Sequence, residues 1–237
     1  MKDISTSKTC YEAAPPGVSL EKLHGFLIVI EGQDSSGRTT QANLLTEWLE
    51  QKGYAVARAG LKRSKLVAPE LDKAQQGNVL SPRTMSLFYA TDFYDQLENT
   101  IVPALQAGYI VLADRYVYTL MARDLARGAN LKWVTSLYSR AIVPDAIYFL
   151  VSSPANLAER TLSAKHSMDY WESGMDMGIS RDWFESFVKY QRRLRTEYNR
   201  LKEAFGLEMV NANRSISAVQ KELRARIAMV LKEYNRT

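Results

Sequence analysis

Apolar residues along this chain fall into two rhythms. Short, nearly continuous runs of Phe, Leu, Ile and Val alternate with longer stretches whose apolar positions recur three and four residues apart. The first run, Phe26–Glu31, reads as a buried strand, and Tyr54–Ala59, Tyr109–Ala113, Asp145–Val151 and Leu207–Val210 predict four more. Between them, Arg38–Lys52 predicts a helix with Leu44, Leu45, Trp48 and Leu49 on one face, ended by Gly53. Further helices are predicted over Leu66–Gln76, over Pro82–Gln106 with a bend or break near Pro103, over 117–127, 131–141 and Pro154–Ala164, and over Asp182–Ala204. Ile216, Val219, Leu223, Ile227 and Val230 continue at helical spacing towards the end. Strands separated by helices require parallel crossovers, so the expected architecture is α/β, a parallel sheet of five strands with helices on both faces.

Two stretches lack a clean period. Residues 1–24, with Pro15-Pro16-Gly17, read as a loosely ordered leader ending near Leu23-His24, and residues 25–237 as one domain without linker or repeat. Lys165–Ser180 carries Gly, Ser and Met without periodicity and is expected to be a mobile loop.

Composition narrows the class of partner. Of 237 residues, 46% are hydrophobic and 24% charged, which is ordinary globular composition and argues against wholesale disorder. The longest apolar runs fall well short of the roughly 20 residues that cross a bilayer, so no membrane partner is expected. One cysteine, Cys10, forms no intrachain disulfide; with no secretory start to the chain, the expected location is cytoplasmic. Thirty-one Lys and Arg against 26 Asp and Glu leave a net charge of +5, which favours anionic partners. No zinc-finger spacing or RNA-binding aromatic motif accompanies that charge, so dedicated nucleic-acid binding is not expected.

Chemistry enters directly after the first strand. Gly32-Gln33-Asp34-Ser35-Ser36-Gly37-Arg38-Thr39-Thr40 has the G-x-x-x-x-G-K-[ST] spacing with arginine in the lysine position. Glycines let backbone N–H groups wrap phosphates, Arg38 supplies a cation, Thr39 a hydroxyl for magnesium, and the following helix its positive N-terminal end. Asp114-Arg115-Tyr116 follows the third strand and belongs at the same crevice, since ligands of open parallel sheets bind outside the carboxyl ends of strands. There Asp114 can hold magnesium through water and Arg115 can clamp a second phosphate.

With Ile30-Glu31-Gly32-x-Asp34-x-x-Gly37-x-Thr39-Thr40-Gln41, Leu87-Phe88-Tyr89-Ala90, Asp114-Arg115-Tyr116 and Pro144-Asp145, the chain resembles the thymidylate kinase family of P-loop nucleoside monophosphate kinases. The resemblance runs from about Phe26 to the C-terminal helix. It implies the P-loop kinase fold with a lid over about 165–181, ATP-Mg2+ as phosphoryl donor, a nucleoside monophosphate as acceptor and a homodimer. Residues 32–40 would wrap the ATP phosphates. Asp34 would approach the acceptor sugar, Arg115 and Arg63 the acceptor phosphate, and Phe88 the base. Tyr116 and Arg123 are placed on or beside the acceptor side, and Tyr170 and Glu172 match lid residues that approach the acceptor nucleoside.

Three departures stand out. Arg38 replaces lysine, Asp92 stands where the family carries an arginine donating to the thymine base, and Lys165–Ser180 holds no arginine. An acceptor-only carboxylate favours an amino group or a hydroxyl over a carbonyl, so Asp92, Tyr170 and Glu172 are expected to form a modified acceptor pocket. Arg160, Arg192 and Arg195 are the candidates to supply the missing charge. The resulting expectation is γ-phosphoryl transfer from ATP to dTMP, with catalytic Arg38, Asp114 and Arg115 and magnesium at Thr39 and Asp114. A P-loop kinase acting on another nucleotide or phosphorylated metabolite, and a non-catalytic nucleotide-binding protein, stay open as alternatives.

Overall fold

Successive side chains of β1 (Phe26–Gly32) point to opposite faces of the sheet, and all seven of its residues are buried, so both faces must be covered. The computed structural model describes residues 8–77, 80–165 and 170–234, with backbone only at 164, 165, 233 and 234. β2 (Val56–Gly60), β3 (Ile110–Asp114), β4 (Ala146–Val151) and β5 (Glu208–Asn211) complete one sheet in the order β2-β3-β1-β4-β5, every pairing parallel. Ile28, Ile30, Leu112, Tyr148 and Leu150 face α1 (Arg38–Gln51) and α9 (Ile216–Tyr234), whose Leu45, Leu49, Leu223 and Ile227 fill that layer. The alternate residues, Leu27, Val29, Val111, Ala113 and Phe149, face the larger layer built on α3 (Pro82–Gln96), α5 (Val117–Ala126) and α8 (Trp183–Phe205). The expected five-stranded parallel sheet with helices on both faces is the architecture found. No helix among the described residues is long and apolar enough to cross a membrane.

The remaining helices are α2 (Ala68–Gly77), α4 (Val102–Gln106), α6 (Leu131–Leu137) and α7 (Pro154–Lys165). The predicted helix over 82–106 is interrupted upstream of its proline. α3 gives way at Leu97–Ile101 to a wider, π-type turn, and Pro103 sits in the first turn of α4, where its missing N–H costs nothing. α6 stops at Leu137, short of the predicted 141, because the chain beyond it serves a different partner.

That partner is the leader. Val143 N–H donates to Thr9 O at 2.8 Å, Tyr11 N–H to Ala141 O at 3.2 Å and Glu12 N–H to Ser139 O at 2.8 Å. Lys8 pairs with Asp145, whose carboxylate also takes the Leu27 N–H at 2.7 Å, and the Tyr11 ring packs edge-on to Tyr118 and Phe205. Residues 8–12 are therefore a strap along 139–145, which departs from the loosely ordered leader expected for 1–24; residues 1–7 lie outside the described residues. The strap has no period of its own because its backbone partners lie some 130 residues away.

Candidate active site

β1 runs into a loop that only glycine permits at two points. Gly32 has φ +154°, and a Cβ there would lie 2.6 Å from Ser36 Oγ; Gly37, at φ +90°, opens α1. The loop thus curls over the helix start, where the N–H groups of Arg38, Thr39 and Thr40 have no intrahelical acceptors, and the helix end favours an anion. Side chains brace this curl from outside. Gln33 Nε2 donates to Gln191 O at 2.8 Å on α8, and Thr161 Oγ1 on α7 donates to Ser35 Oγ at 2.7 Å. Gln33 and Ser35 therefore shape the loop through their side chains and leave anion contact to the backbone.

Parallel register brings the second motif alongside. Ile30 of β1 pairs with Asp114 of β3, and Thr39 Oγ1 donates to Asp114 Oδ2 at 2.7 Å. A hydroxyl and a carboxylate at the mouth of an anion-binding loop are the hard oxygen donors that magnesium takes together with phosphate and water. The residues present fit that ion.

Arg38 does not extend over the loop as a lysine in its place would be expected to. Its guanidinium is buried, donates to Gly32 O and to Gln33 O (3.1 Å), and stands 3.5 Å from Asp114 Oδ1 and 3.9 Å from Asp34 Oδ1. One guanidinium nitrogen, Nη1, serves both carbonyls, which leaves Nε and Nη2 of the same plane turned to the two carboxylates, a spread that a compact ammonium does not reproduce. Burial, and next the charge of Arg115, push its pKa down; Asp114 and Asp34 oppose this.

Three arginines converge on Asp34. Besides Arg38, Arg115 donates to it, and Arg123 Nη2 reaches both oxygens at 3.1 and 3.2 Å. Arg115 achieves this from a left-handed backbone conformation, φ +74°, unusual for a residue with a side chain. Glu31, one residue before the loop, holds that turn. Its buried carboxylate accepts Tyr116 N–H at 2.9 Å, Thr119 N–H at 3.1 Å and the Thr119 hydroxyl, capping α5, while burial pushes its pKa up. The sequence motif contains Glu31, but only the fold reveals this positioning role.

Two cavities belong to this site, one against the loop and one beside Arg115 and Arg123. One, of about 380 Å3, is bounded by Ser36, Gly37, Thr40, Arg160, Arg214 and Ile216. The other, of about 200 Å3, is bounded by Leu61, Lys62, Tyr89, Arg115, Arg123 and Glu172. Arg160 of the sequence candidates lines the first and donates to Ala212 O at 3.0 Å, whereas Arg192 and Arg195 are exposed on α8. Arg214 was missed, since a turn before the last helix carries no signal of proximity to residue 37.

Several predicted residues fall elsewhere. Asp92 is completely buried, and its carboxylate accepts Lys62 N–H at 2.8 Å, Ser64 N–H at 2.9 Å and Gln96 Nε2 at 3.0 Å. It pins the loop after β2 and lines a small cavity with Leu61, Arg115 and Tyr116, whose lining does not include Tyr170 or Glu172. Replacing Asp92 with alanine orphans two backbone donors and should lower unfolding free energy by about 2–4 kcal/mol in urea titrations, with the ranking of acceptors unchanged. A shifted ranking at wild-type stability would contradict this. Tyr116 is core: it is 3% exposed, packs edge-on to Phe93 and donates to Ile142 O. Phe88 is half-buried against the same core, and Arg63 lies against Gly60 at the end of β2.

Of the expected mobile loop, residues 166–169 lie outside the described residues; from Tyr170 onward the segment is docked. Tyr170 packs edge-on to Trp171 and Trp183, and Trp171 is buried, its Nε1 donating to Gln75 O at 3.2 Å. Arg127 clasps the segment from α5, with Nε to Asp176 Oδ2 at 2.8 Å, Nη2 to Asp176 Oδ1 at 3.0 Å and Nη2 to Trp171 O at 2.9 Å. Glu172 thereby closes the second cavity.

Residues 30–223 match the family model described as thymidylate kinase. The "Probable thymidylate kinase 2" of Saccharolobus solfataricus is 36% identical over 203 residues, covering 85% of this chain and 95% of the relative. The "Probable thymidylate kinase" of Pyrococcus horikoshii is 31% identical over 210 residues, with the same coverage. That of Thermococcus kodakarensis is 30% identical over 218 residues, covering 88% of this chain and all of the relative.

Proposed function

Because the chain belongs to the thymidylate kinase family of nucleoside monophosphate kinases, we propose that it transfers the γ-phosphoryl group of ATP to dTMP. The observation that supports this best is a pair of cavities, one bounded by the anion-binding loop itself and the other walled by Lys62 and by Arg115 and Arg123, which pair with Asp34 of that loop. A phosphate donor and an anionic acceptor can be held there at the same time, as an in-line transfer requires.

In this reading the loop backbone from Gly32 to Thr40 holds the ATP phosphates, and Thr39 and Asp114 hold magnesium. The ion, when bound, neutralises phosphate charge. Arg115 and Arg123, paired with Asp34 before an acceptor arrives, turn to the acceptor phosphate, and Asp34 is released towards the sugar hydroxyl. Arg38 keeps the loop curled and adds positive potential behind it. No general base is needed, because a monophosphate oxygen already carries charge. Arg160 and Arg214 lie at the donor side and are the cations nearest in kind to those missing from the lid. The family reading also carries a homodimeric assembly and a cytoplasmic location, both as proposals.

An ADP-release assay with ATP-Mg2+ against dTMP, dUMP, UMP, CMP, dCMP, AMP and GMP tests the reading. The expected result is turnover with dTMP at a kcat/KM at least about tenfold above the other acceptors. A different preferred monophosphate would displace dTMP while keeping the kinase. Silence across the panel, with ATP still raising Tm, would replace it with a nucleotide-binding protein.

A further inference from the structure

Behind the phosphate-side cavity lies a narrower one. It is bounded by Met85, Tyr89, Leu120, Asp124, Tyr138 and Trp171, and it shares Tyr89 and Arg123 with its neighbour. A molecule with its phosphate near Arg115 and Arg123 would therefore project its other end here.

Most of this lining is apolar, yet two buried oxygens in it lack any partner. Asp124 Oδ1 accepts from Ser86 Oγ at 2.6 Å, but Asp124 Oδ2 takes no hydrogen bond, and neither does the hydroxyl of Tyr138, whose side chain is fully buried. No hydrogen bond joins the two, although both line the same space. Buried polar atoms are nearly always satisfied, so a pair of orphans on residues that line one cavity calls for a polar group once that cavity opens. Burial pushes the Asp124 carboxyl up to about 6, and the Ser86 hydrogen bond and the charges of Arg127 and Arg123 only partly offset it.

Resting on the kinase reading above, we propose that Asp124 and Tyr138 select the acceptor by reading its base edge, Asp124 accepting a ring or exocyclic N–H and Tyr138 donating to the adjoining acceptor atom. A carboxylate can only accept and a phenol is free to donate, so the edge that fits places one N–H beside one acceptor. A pyrimidine imide offers this through its N–H and neighbouring carbonyl, and an aminopyrimidine through its amino group and ring nitrogen. The role assigned at first to Asp92 thus passes to a carboxylate one helix away. The present cavity, of about 30 Å3, is no larger than a water molecule needs. Admission of a ring requires Trp171 to withdraw from Gln75 and from the Arg127 clasp.

The test compares dTMP, N3-methyl-dTMP and dCMP as acceptors for the wild type, Asp124→Ala and Tyr138→Phe, the last deleting one oxygen from a packed ring. Wild type is expected to reject N3-methyl-dTMP by about 100-fold in kcat/KM, and Asp124→Ala to shrink that penalty to less than about tenfold. Tyr138→Phe should raise the dTMP KM about tenfold with kcat and the KM for ATP nearly unchanged. A preference for dCMP that Asp124→Ala abolishes would support the same two readers on an amino edge. Unchanged discrimination in both variants would overturn the proposal and leave a cavity that holds only water. Should wild type phosphorylate none of these acceptors, the kinase reading fails separately. Calorimetric binding of dTMP against N3-methyl-dTMP on the same variants then decides the base reading alone.

Discussion

Arg115→Ala is expected to lower kcat/KM for the acceptor by about 10³-fold, with the dissociation constant for ATP within about threefold of wild type. Arg115 is the residue whose backbone is strained to deliver its side chain: φ is +74°, and the turn is locked by Glu31 on Tyr116 and Thr119. Alanine at this position keeps the same backbone strain, so stability should change little, and Asp34 retains Arg123 and Arg38 as partners. What vanishes is a bidentate donor in a low-dielectric cavity, opposite charge that builds on the transferring group. Arg115→Lys restores the charge without the planar fork and should recover only part of the loss. Steady-state kinetics with each substrate varied, beside calorimetric titration of ATP, provide the measurement. An equal loss of ATP affinity would move Arg115 to the donor side.

Arg38→Ala is expected to have the second large effect, falling on the fold as well as on the rate. Its guanidinium bonds two carbonyls of its own loop and faces the carboxylates of Asp114 and Asp34. Removing one side of a buried charge arrangement leaves the other uncompensated, at a cost of about 3–5 kcal/mol. The loop then loses its inner brace, and turnover should fall by at least about 10²-fold. Arg38→Lys, the residue the motif ordinarily carries, should recover less stability than activity, since a compact ammonium cannot face the carbonyls and both carboxylates from separate nitrogens. Urea unfolding measured beside ADP release separates the two. Wild-type stability in Arg38→Ala would show that the buried fork does not hold the loop.

Features encoded by local spacing were legible in the chain itself. Short continuous apolar runs and period-3.6 patterns pointed to the five strands and the order of helices. The Gly32–Thr40 spacing placed an anion loop between strand and helix, where Gly32 and Gly37 adopt the positive φ values that such a loop demands. Asp114-Arg115 at the end of β3 was expected beside that loop, and the Ile30–Asp114 register puts it there. Such features depend on neighbours within a few residues, or on the general rule that crossovers of a parallel sheet gather strand ends at one edge.

Asp92 and Asp124 mark the limit of that reading. Both are acidic residues inside predicted helices, and sequence offers no means to tell them apart. One is saturated by backbone donors about thirty residues away; the other keeps a buried oxygen without a hydrogen bond beside a cavity. The same limit hid the strap at residues 8–12, the inward turn of Arg38, the core burial of Tyr116 and the approach of Arg214 to Gly37. Sequence alone thus determined the class of fold, the phosphate loop and the strand ends at which chemistry could occur. Tertiary structure decided which polar groups are already satisfied and which are buried without a partner, because hydrogen-bond partners and desolvation are set by residues distant in the chain and adjacent only once it has folded.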